Sequence, residues 1–506
     1  MTLAQVWGVA PAGIAAVLVK VEVDVSQGLP SVGVVGLAQT SVTESRWRVR
    51  SAIINSGLVW PNSRVTIGLW PADLPKTGTS LDLPIAIGIL QATQQVRLTE
   101  SDVTFVGELG LDGGVRPVPG ALAAAIAAAR AGFTRVVVCP GNARAVMAIP
   151  GVRPIVIGSL AQLVGVLSGS AQEELQPEPE SIQASDAEAP DFADVRGHEF
   201  ARLGIEVAAA GGHHMALLGP PGVGKTMLAQ RLPSILPPLT EEMALDVTAI
   251  HALAGALDTD HGLLAKPPFV APHHSISVAA MLGAVRGGRL IPGAVTLAHG
   301  GVLFLDEAPE FARPCLEGLR QPLEQGHLSL MRVERGLTAP ARFQLIIAAN
   351  PCPCGLATDR AESCRCTPMA KRRYAERLSG PLLDRIDIRS AVTKPTASQF
   401  RMEDAEPSAV IADRVLGARD RAQHRYCQHY WQLNAQAPGR LLRSEFAPSE
   451  HGMDLLVEAE RRGLNPRGSD RVLRLAWTLA DLSGVNLPGR EQVSVALALR
   501  NQEPGN

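Results

Sequence analysis

The segment GPPGVGKT, Gly219 to Thr226, constrains this chain more than any other stretch. It follows a short apolar run, MALLG from Met215, and leads into the helical pattern MLAQRL. That strand, loop and helix order is the setting of a phosphate-binding loop. Gly219, Gly222 and Gly224 let backbone N–H groups wrap phosphate oxygens, Lys225 reaches the β- and γ-oxygens, and Thr226 offers a hydroxyl to Mg²⁺. The cradle expected around the nucleotide comprises Gly219, Pro220, Pro221, Gly222, Val223, Gly224, Lys225, Thr226 and Met227. A purely structural glycine turn has no use for Lys-Thr at this spacing, so ATP with Mg²⁺ is the expected cofactor.

Further motifs supply the rest of a hydrolytic site. VLFLDE, Val302 to Glu307, puts Asp306 and Glu307 at the carboxyl end of a buried strand. Asp306 is expected to hold the magnesium, and Glu307 to orient and polarise the attacking water. Asn350 ends the run QLIIAAN, where its amide can hydrogen-bond the γ-phosphate or the lytic water. Arg385, in GPLLDRIDI, is placed to reach a neighbouring subunit's γ-phosphate as a finger; an ion pair with Asp384 or Asp387 is the alternative. Arg467, in NPRGSDR, is the expected second sensor of phosphate, with Arg471 its rival one turn on.

At 506 residues the chain is too long for one core. Strand patterns at Val19–Val25 (VKVEVDV) and Arg64–Trp70, an Ala-rich helix over Ala121–Ala131 and the buried run RVVVCP from Arg135 predict a first α/β domain over 1–168. Residues 169–190 are acidic, with Pro and Ser and few large apolar side chains, which predicts a flexible linker. MALLG, VLFLD and QLIIAAN predict a parallel sheet within a core domain over 191–394. Over 395–506 strand signals fade; Ser469 to Leu482 carries Val472, Leu475, Ala476 and Leu479 on one face with Ser469 as N-cap, predicting a helical domain.

The formal net charge of −2 gives no global pull toward nucleic acid or an anionic membrane, so such binding needs local basic patches. No basic residue precedes Lys20 and no apolar run approaches bilayer length, so the cytoplasm is the expected compartment, with no membrane partner. Of seven cysteines, Cys352, Cys354, Cys364 and Cys366 cluster as C-P-C and C-R-C directly after Asn350. Four thiolates are the right number for a closed tetrahedral site, so a structural Zn²⁺ is expected there. His273 and His274 are adjacent but lack a third ligand, which argues against a metal.

With these motifs placed, the chain resembles the magnesium-chelatase-like AAA+ family, in its YifB/ComM branch of competence-type proteins. The resemblance rests on DVRGHEFARLGIEVAAAGGHHMALLGPPGVGKT, on PFVAPHHSISVAAMLG with PGAVTLAHGGVLFLDEAPEF, on FQLIIAANPCPCG and on SGPLLDRIDI. It implies a central AAA+ sheet with helices on both faces, a helical lid at the C-terminus, an insert around Pro268 to Gly293 and a hairpin around His327 to Arg342. It also implies a homo-hexameric ring, and ATP-driven branch migration or helicase-like action on single-stranded or branched DNA. Arg286 and Arg289 in one predicted loop, and Arg332 and Arg335 in the other, are basic pairs that six subunits can point into a pore to track a phosphate backbone. Solvated hairpin tips account for either pair equally well.

The first domain resembles the Lon-protease (ribosomal-protein-like) α+β fold, with Ser80 in PKTGTSLDLPIA at the place of the nucleophile. Leu122 occupies the place of the partner lysine, so a non-proteolytic scaffold or DNA-facing collar is expected. The competing reading is a chelatase-type remodeller that drives a protein client without acting on DNA.

Overall fold

The computed structural model describes residues 2–12, 15–36, 40–72, 79–98, 102–118, 120–173, 190–256, 263–286, 289–331, 336–357, 364–378, 380–394 and 405–501. Residues 174–189 of the expected linker lie outside them.

Alternating apolar and polar side chains build the first sheet. Its strands are β1 (Thr2–Ala12), β2 (Ala15–Ser26), β3 (Ser31–Val35), β4 (Arg64–Trp70) and β5 (Val103–Phe105). After a small hairpin of β6 (Glu108–Leu109) and β7 (Val115–Arg116), the sheet resumes with β8 (Arg135–Val138) and β9 (Arg153–Val156). The order is β3-β4-β2-β1-β5-β8-β9, antiparallel between β1, β2 and β4 and parallel elsewhere. Val19, Val21 and Val23 face inward on β2, where they pack with the apolar helix Asp82–Ala92.

The second sheet reads as continuous apolar runs because both its faces are covered. Its strands β10 (Met215–Leu218), β11 (Phe269–Val270), β14 (Val302–Leu305), β17 (Gln344–Ala349) and β18 (Ile388–Ala391) are all parallel, in the order β11-β14-β17-β10-β18. Successive residues alternate between two cores. Leu217, Phe304 and Ile346 pack with the helices Glu199–Gly211 and Lys225–Ile235, whereas Leu303, Leu305 and Ile347 pack with Val295, Leu316 and Leu382. Helices therefore lie on both faces of the sheet. Two hairpins project from this unit within the segments marked out by sequence: β12 (Ala284–Arg286) with β13 (Arg289–Ile291), and β15 (His327–Met331) with β16 (Gly336–Pro340).

The C-terminal region is helical among its described residues, with helices Ser408–Arg425, Glu450–Arg461, Pro466–Ser483 and Arg490–Asn501. Val472, Leu475, Ala476 and Leu479 are buried as their spacing predicts. The cap differs from expectation. Asn465 caps this helix, its side chain accepting the Gly468 N–H at 2.7 Å, and Ser469 lies inside. Pro466, with φ already helical and no N–H to satisfy, moves the start upstream.

The Ala-rich helix Ala121–Arg130 packs against the helix Glu241–Leu253, joining the first unit to the second. Leu122, Ala128 and Ala249 share one buried cluster, and Arg130 pairs with Asp246 at 3.5 Å.

Two histidines make this fold sensitive to acid. His299 Nδ1 accepts the Arg342 N–H at 3.0 Å, and His214 Nδ1 accepts the Leu345 N–H at 3.0 Å, so both rings must be neutral. Burial pushes each down to about 4. An unfolded chain takes up these protons from about pH 6.5 downward while the native state refuses them, so stability falls between about pH 6.5 and 4. The expected loss is on the order of 1–3 kcal/mol per ring, read as a falling Tm in scans at stepped pH. A flat Tm across that window refutes it.

Candidate active site

The parallel register brings the carboxyl ends of three strands together, pairing Leu218 with Ala349 and Leu305 with Ile347. The loop after β10, Asp306 and Glu307 after β14, and Asn350 after β17 thereby converge on a cavity of about 410 Å³. It is lined by Pro221, Gly222, Gly224, Lys225, Thr226 and Met227 across from the two carboxylates and Asn350. Gly224 turns the loop into the helix Lys225–Ile235 with φ of 93°, a left-handed state that suits glycine. At Gly219 a Cβ would stand 2.1 Å from the carbonyl oxygen of Val392, so the loop and the end of β18 approach too closely for any side chain.

The polar groups are held by one another. Lys225 Nζ donates to the carbonyls of Gly219 and Pro220, both at 2.7 Å, and to Asn350 Oδ1 at 3.0 Å. Burial lowers its pKa, and the charges of Asp306 and Glu307 oppose that shift. Thr226 Oγ1 donates to Asp306 Oδ2 at 2.7 Å, which gathers a hydroxyl and a carboxylate, the hard oxygen donors that Mg²⁺ takes. The Glu307 N–H donates to Asp306 Oδ1 at 2.9 Å, and Glu307 holds a left-handed backbone, φ 50°. His274 Nδ1 stands 3.5 Å from Glu307 Oε2, a neighbour that motif reading did not supply.

The three arginines lie off this cavity. Arg385 bonds to Glu324 and to the Pro381 carbonyl, rather than to Asp384 or Asp387, and its buried Nε has no partner among the described residues. Arg467 is 81% exposed and reaches Asp384 at 3.9 Å. Arg471 is 11% exposed, with Nε 3.0 Å from the buried Asp387. Arg467 is thus the exposed, loosely paired cation of the two and Arg471 part of a buried pair. Arg286 ends β12 exposed and pairs in register with Arg289; Arg332 and Arg335 lie outside the described residues.

Behind the loop, the sulfurs of Cys352, Cys354, Cys364 and Cys366 all lie within 4.8 Å of one another. Their number, softness and convergence fit a tetrahedral metal. The same segment touches the phosphate loop, for a Cβ on Gly355 would meet Pro221 Cδ at 2.4 Å. In the first unit, Ser80 is buried and its Oγ donates to the Val9 carbonyl at 2.9 Å, while Leu122 is buried in an apolar cluster. Lys76 lies outside the described residues.

Comparison with known proteins gives matches along most of the chain. The profile described as "Magnesium chelatase, subunit ChlI" matches residues 191–400, that of "Subunit ChlI of Mg-chelatase" matches 21–142, and that of the ChlI C-terminal region matches 405–500. Over 99% of this chain and 97% of its own, the uncharacterized protein YifB of Escherichia coli is 40% identical. The competence protein ComM of Haemophilus influenzae is 36% identical over 99% of this chain and 98% of its own. The chain belongs to the magnesium-chelatase-like YifB/ComM family. An uncharacterized relative from Mycobacterium tuberculosis is 46% identical over 99% of both chains. The magnesium chelatase ChlI family is an AAA+ ATPase family, and the site of this YifB/ComM member carries the residue types that such chemistry requires. No helix among its described residues is long and apolar enough to cross a membrane.

Proposed function

We propose that this family member is a cytoplasmic, ATP-hydrolysing ring motor that acts on DNA, with branch migration during recombination of incoming DNA as its work. The convergence of Lys225, Thr226, Asp306, Glu307 and Asn350 on one cavity carries the ATPase reading. When bound, Mg²⁺ neutralises charge on the β- and γ-phosphates. Thr226 and Asp306 hold it, Lys225 grips the phosphates, Glu307 orients the water and Asn350 fixes the γ-phosphate or that water. Arg385 reaches the nucleotide of a neighbouring subunit as a finger, which makes a homo-hexamer the working form, and Arg467, in preference to Arg471, completes the charge clamp as the second sensor. Support for the finger comes from the place of Arg385 outside the lining of its own cavity.

The DNA reading draws on the name of the competence relative and on Arg286 and Arg289 in the β12–β13 hairpin. The first domain is a non-proteolytic, Lon-like scaffold, a reading supported by the burial of Ser80 and Leu122. The chelatase profiles favour a second reading, a remodeller of a protein client. Steady-state ATPase assays with single-stranded, duplex and four-way-junction DNA separate the two. Stimulation by DNA, followed by strand exchange, is the expected result; hydrolysis indifferent to every DNA supports the client reading instead.

Zn²⁺ at the four cysteines braces the segment between Asn350 and the Arg385 loop. Elemental analysis of the purified protein is expected to find one zinc per chain, lost in Cys352→Ser. A metal-free native protein sinks this assignment.

A further inference from the structure

The formal charge of the whole chain is −2, yet the stretch from Cys364 to Leu378 carries five cations, Arg365, Lys371, Arg372, Arg373 and Arg377, against one carboxylate, Glu376. Most of this stretch is the helix Pro368–Arg377. Thr367 caps it, the hydroxyl accepting the Ala370 N–H at 3.2 Å, and Pro368 supplies a first residue with helical φ. Tyr374 and Leu378 are buried and seat one side of the helix against the protein. Its other sides face outward. Arg365, Arg372, Arg373 and Arg377 are exposed, and Lys371 is half-buried.

The five cations are not equivalent. Arg372 pairs with Glu376 one turn on at 2.9 Å, and Arg377 pairs with Glu310 at 2.7 Å, whereas Arg365, Lys371 and Arg373 have no ion pair among the described residues. Arg373, Tyr374 and Arg377 line a groove of about 360 Å³ together with Glu310, Pro353 and Thr367. Arg377 neutralises Glu310, so Arg373 sets the sign of that groove. Arg365 lies between Cys364 and Cys366, whose sulfurs belong to the converging cluster, so its backbone is tied down on both sides. Unpaired charge of one sign on an exposed face selects a polyanion. Met369 is the one large apolar side chain exposed on this helix, which leaves no apolar centre of the kind a protein interface needs. The 10-residue helix is about 15 Å long, the span of about four phosphates along one strand of a duplex.

We propose that the helix Pro368–Arg377, with Arg365 just before it, is a DNA-docking face that holds the phosphate backbone through Arg365, Lys371 and Arg373, apart from the β12–β13 hairpin. The inference rests on the reading of this chain as a DNA motor and names a further contact for it. Such cations displace the counterions condensed on DNA and read no base edges, so this contact is salt-dependent and indifferent to sequence.

Anisotropy of a fluorescein-labelled duplex of mixed sequence, titrated at stepped salt with the full-length protein and a non-hydrolysable ATP analogue, tests the assignment. Arg365→Gln/Lys371→Gln/Arg373→Gln is expected to weaken binding roughly tenfold or more at physiological salt, and to make the fall of log affinity with log salt shallower by about two to three. ATP hydrolysis without DNA and the mass of the assembly are expected to stay as in wild type. Arg365→Lys/Arg373→Lys keeps the charges and is expected to bind as wild type does. A glutamine variant with wild-type affinity and slope overturns the docking face, while the binding by wild type upholds the DNA reading. A lysine variant as weak as the glutamine one overturns it too, since charge is then not what holds the DNA. Smaller assemblies of the glutamine variant overturn it in favour of a contact between copies of the chain. Wild type that binds no DNA even at low salt removes the DNA reading itself, and the docking face with it.

Discussion

Glu307→Gln is expected to cut ATP turnover by roughly 10²- to 10⁴-fold while ATP still binds, because in the proposed role Glu307 is a base that acts mainly on the water. The amide keeps the size of the side chain. It leaves untouched the loop, the Lys225 contacts to Gly219, Pro220 and Asn350, and the Thr226–Asp306 pair. Lys225→Ala is the contrasting case. It removes a buried cation whose neighbours are all oxygen acceptors, so nucleotide affinity itself collapses. Phosphate release and binding of a fluorescent ATP analogue, measured on both variants, separate the two effects. A Glu307→Gln enzyme within roughly tenfold of wild-type turnover contradicts the assignment.

Asp387→Ala is expected to destabilise the ATPase and helical units by about 3–5 kcal/mol, the usual cost of stranding the partners of a buried charge. Asp387 is 5% exposed, accepts from His213 Nδ1 at 3.0 Å and forms an ion pair with Arg471 Nε at 3.0 Å. Burial alone raises its pKa, but the His213 hydrogen bond and the surrounding positive charge outweigh burial and hold it at about 2. His213 also meets Thr478 at 2.8 Å, and Arg500 donates to the Ile386 carbonyl at 2.5 Å. The carboxylate thus ties the approach to β18 to His213 and to the helix Pro466–Ser483, while Arg500 fastens the last helix to the backbone beside it. Calorimetry of the full chain reads the effect as a lost or strongly lowered transition for these units. A change below about 1 kcal/mol, as for an exposed pair, shows that the network is not holding the units together.

What sequence made legible was local. The phosphate loop, the Asp306–Glu307 pair and Asn350 each lie within a few residues of the strand that aims them, so spacing and apolar runs located them. The parallel order that brings them together followed from strand type. Pairings across long separations stayed hidden. Glu324 lies 61 residues from Arg385, His274 and Glu307 come from different strand ends, and nothing near Arg471 announces that Asp387 buries it. The misplaced cap at Ser469 has a local cause, since Asn-Pro upstream is itself a start signal and outranks a serine one turn inside.

The seam between the first two units has a mechanical consequence. The helix Glu241–Leu253 presses on the start of the strand that ends in Asp306, for a Cβ on Gly300 would stand 3.0 Å from both Met243 Cγ and Val247 Cγ2. Elsewhere, the same helix carries the cluster shared with Leu122 and the pair to Arg130. Any tilt of this strut would reach the first domain through packed side chains rather than through a loop. The helix Ala121–Arg130 is in this way a stiff link between the two units.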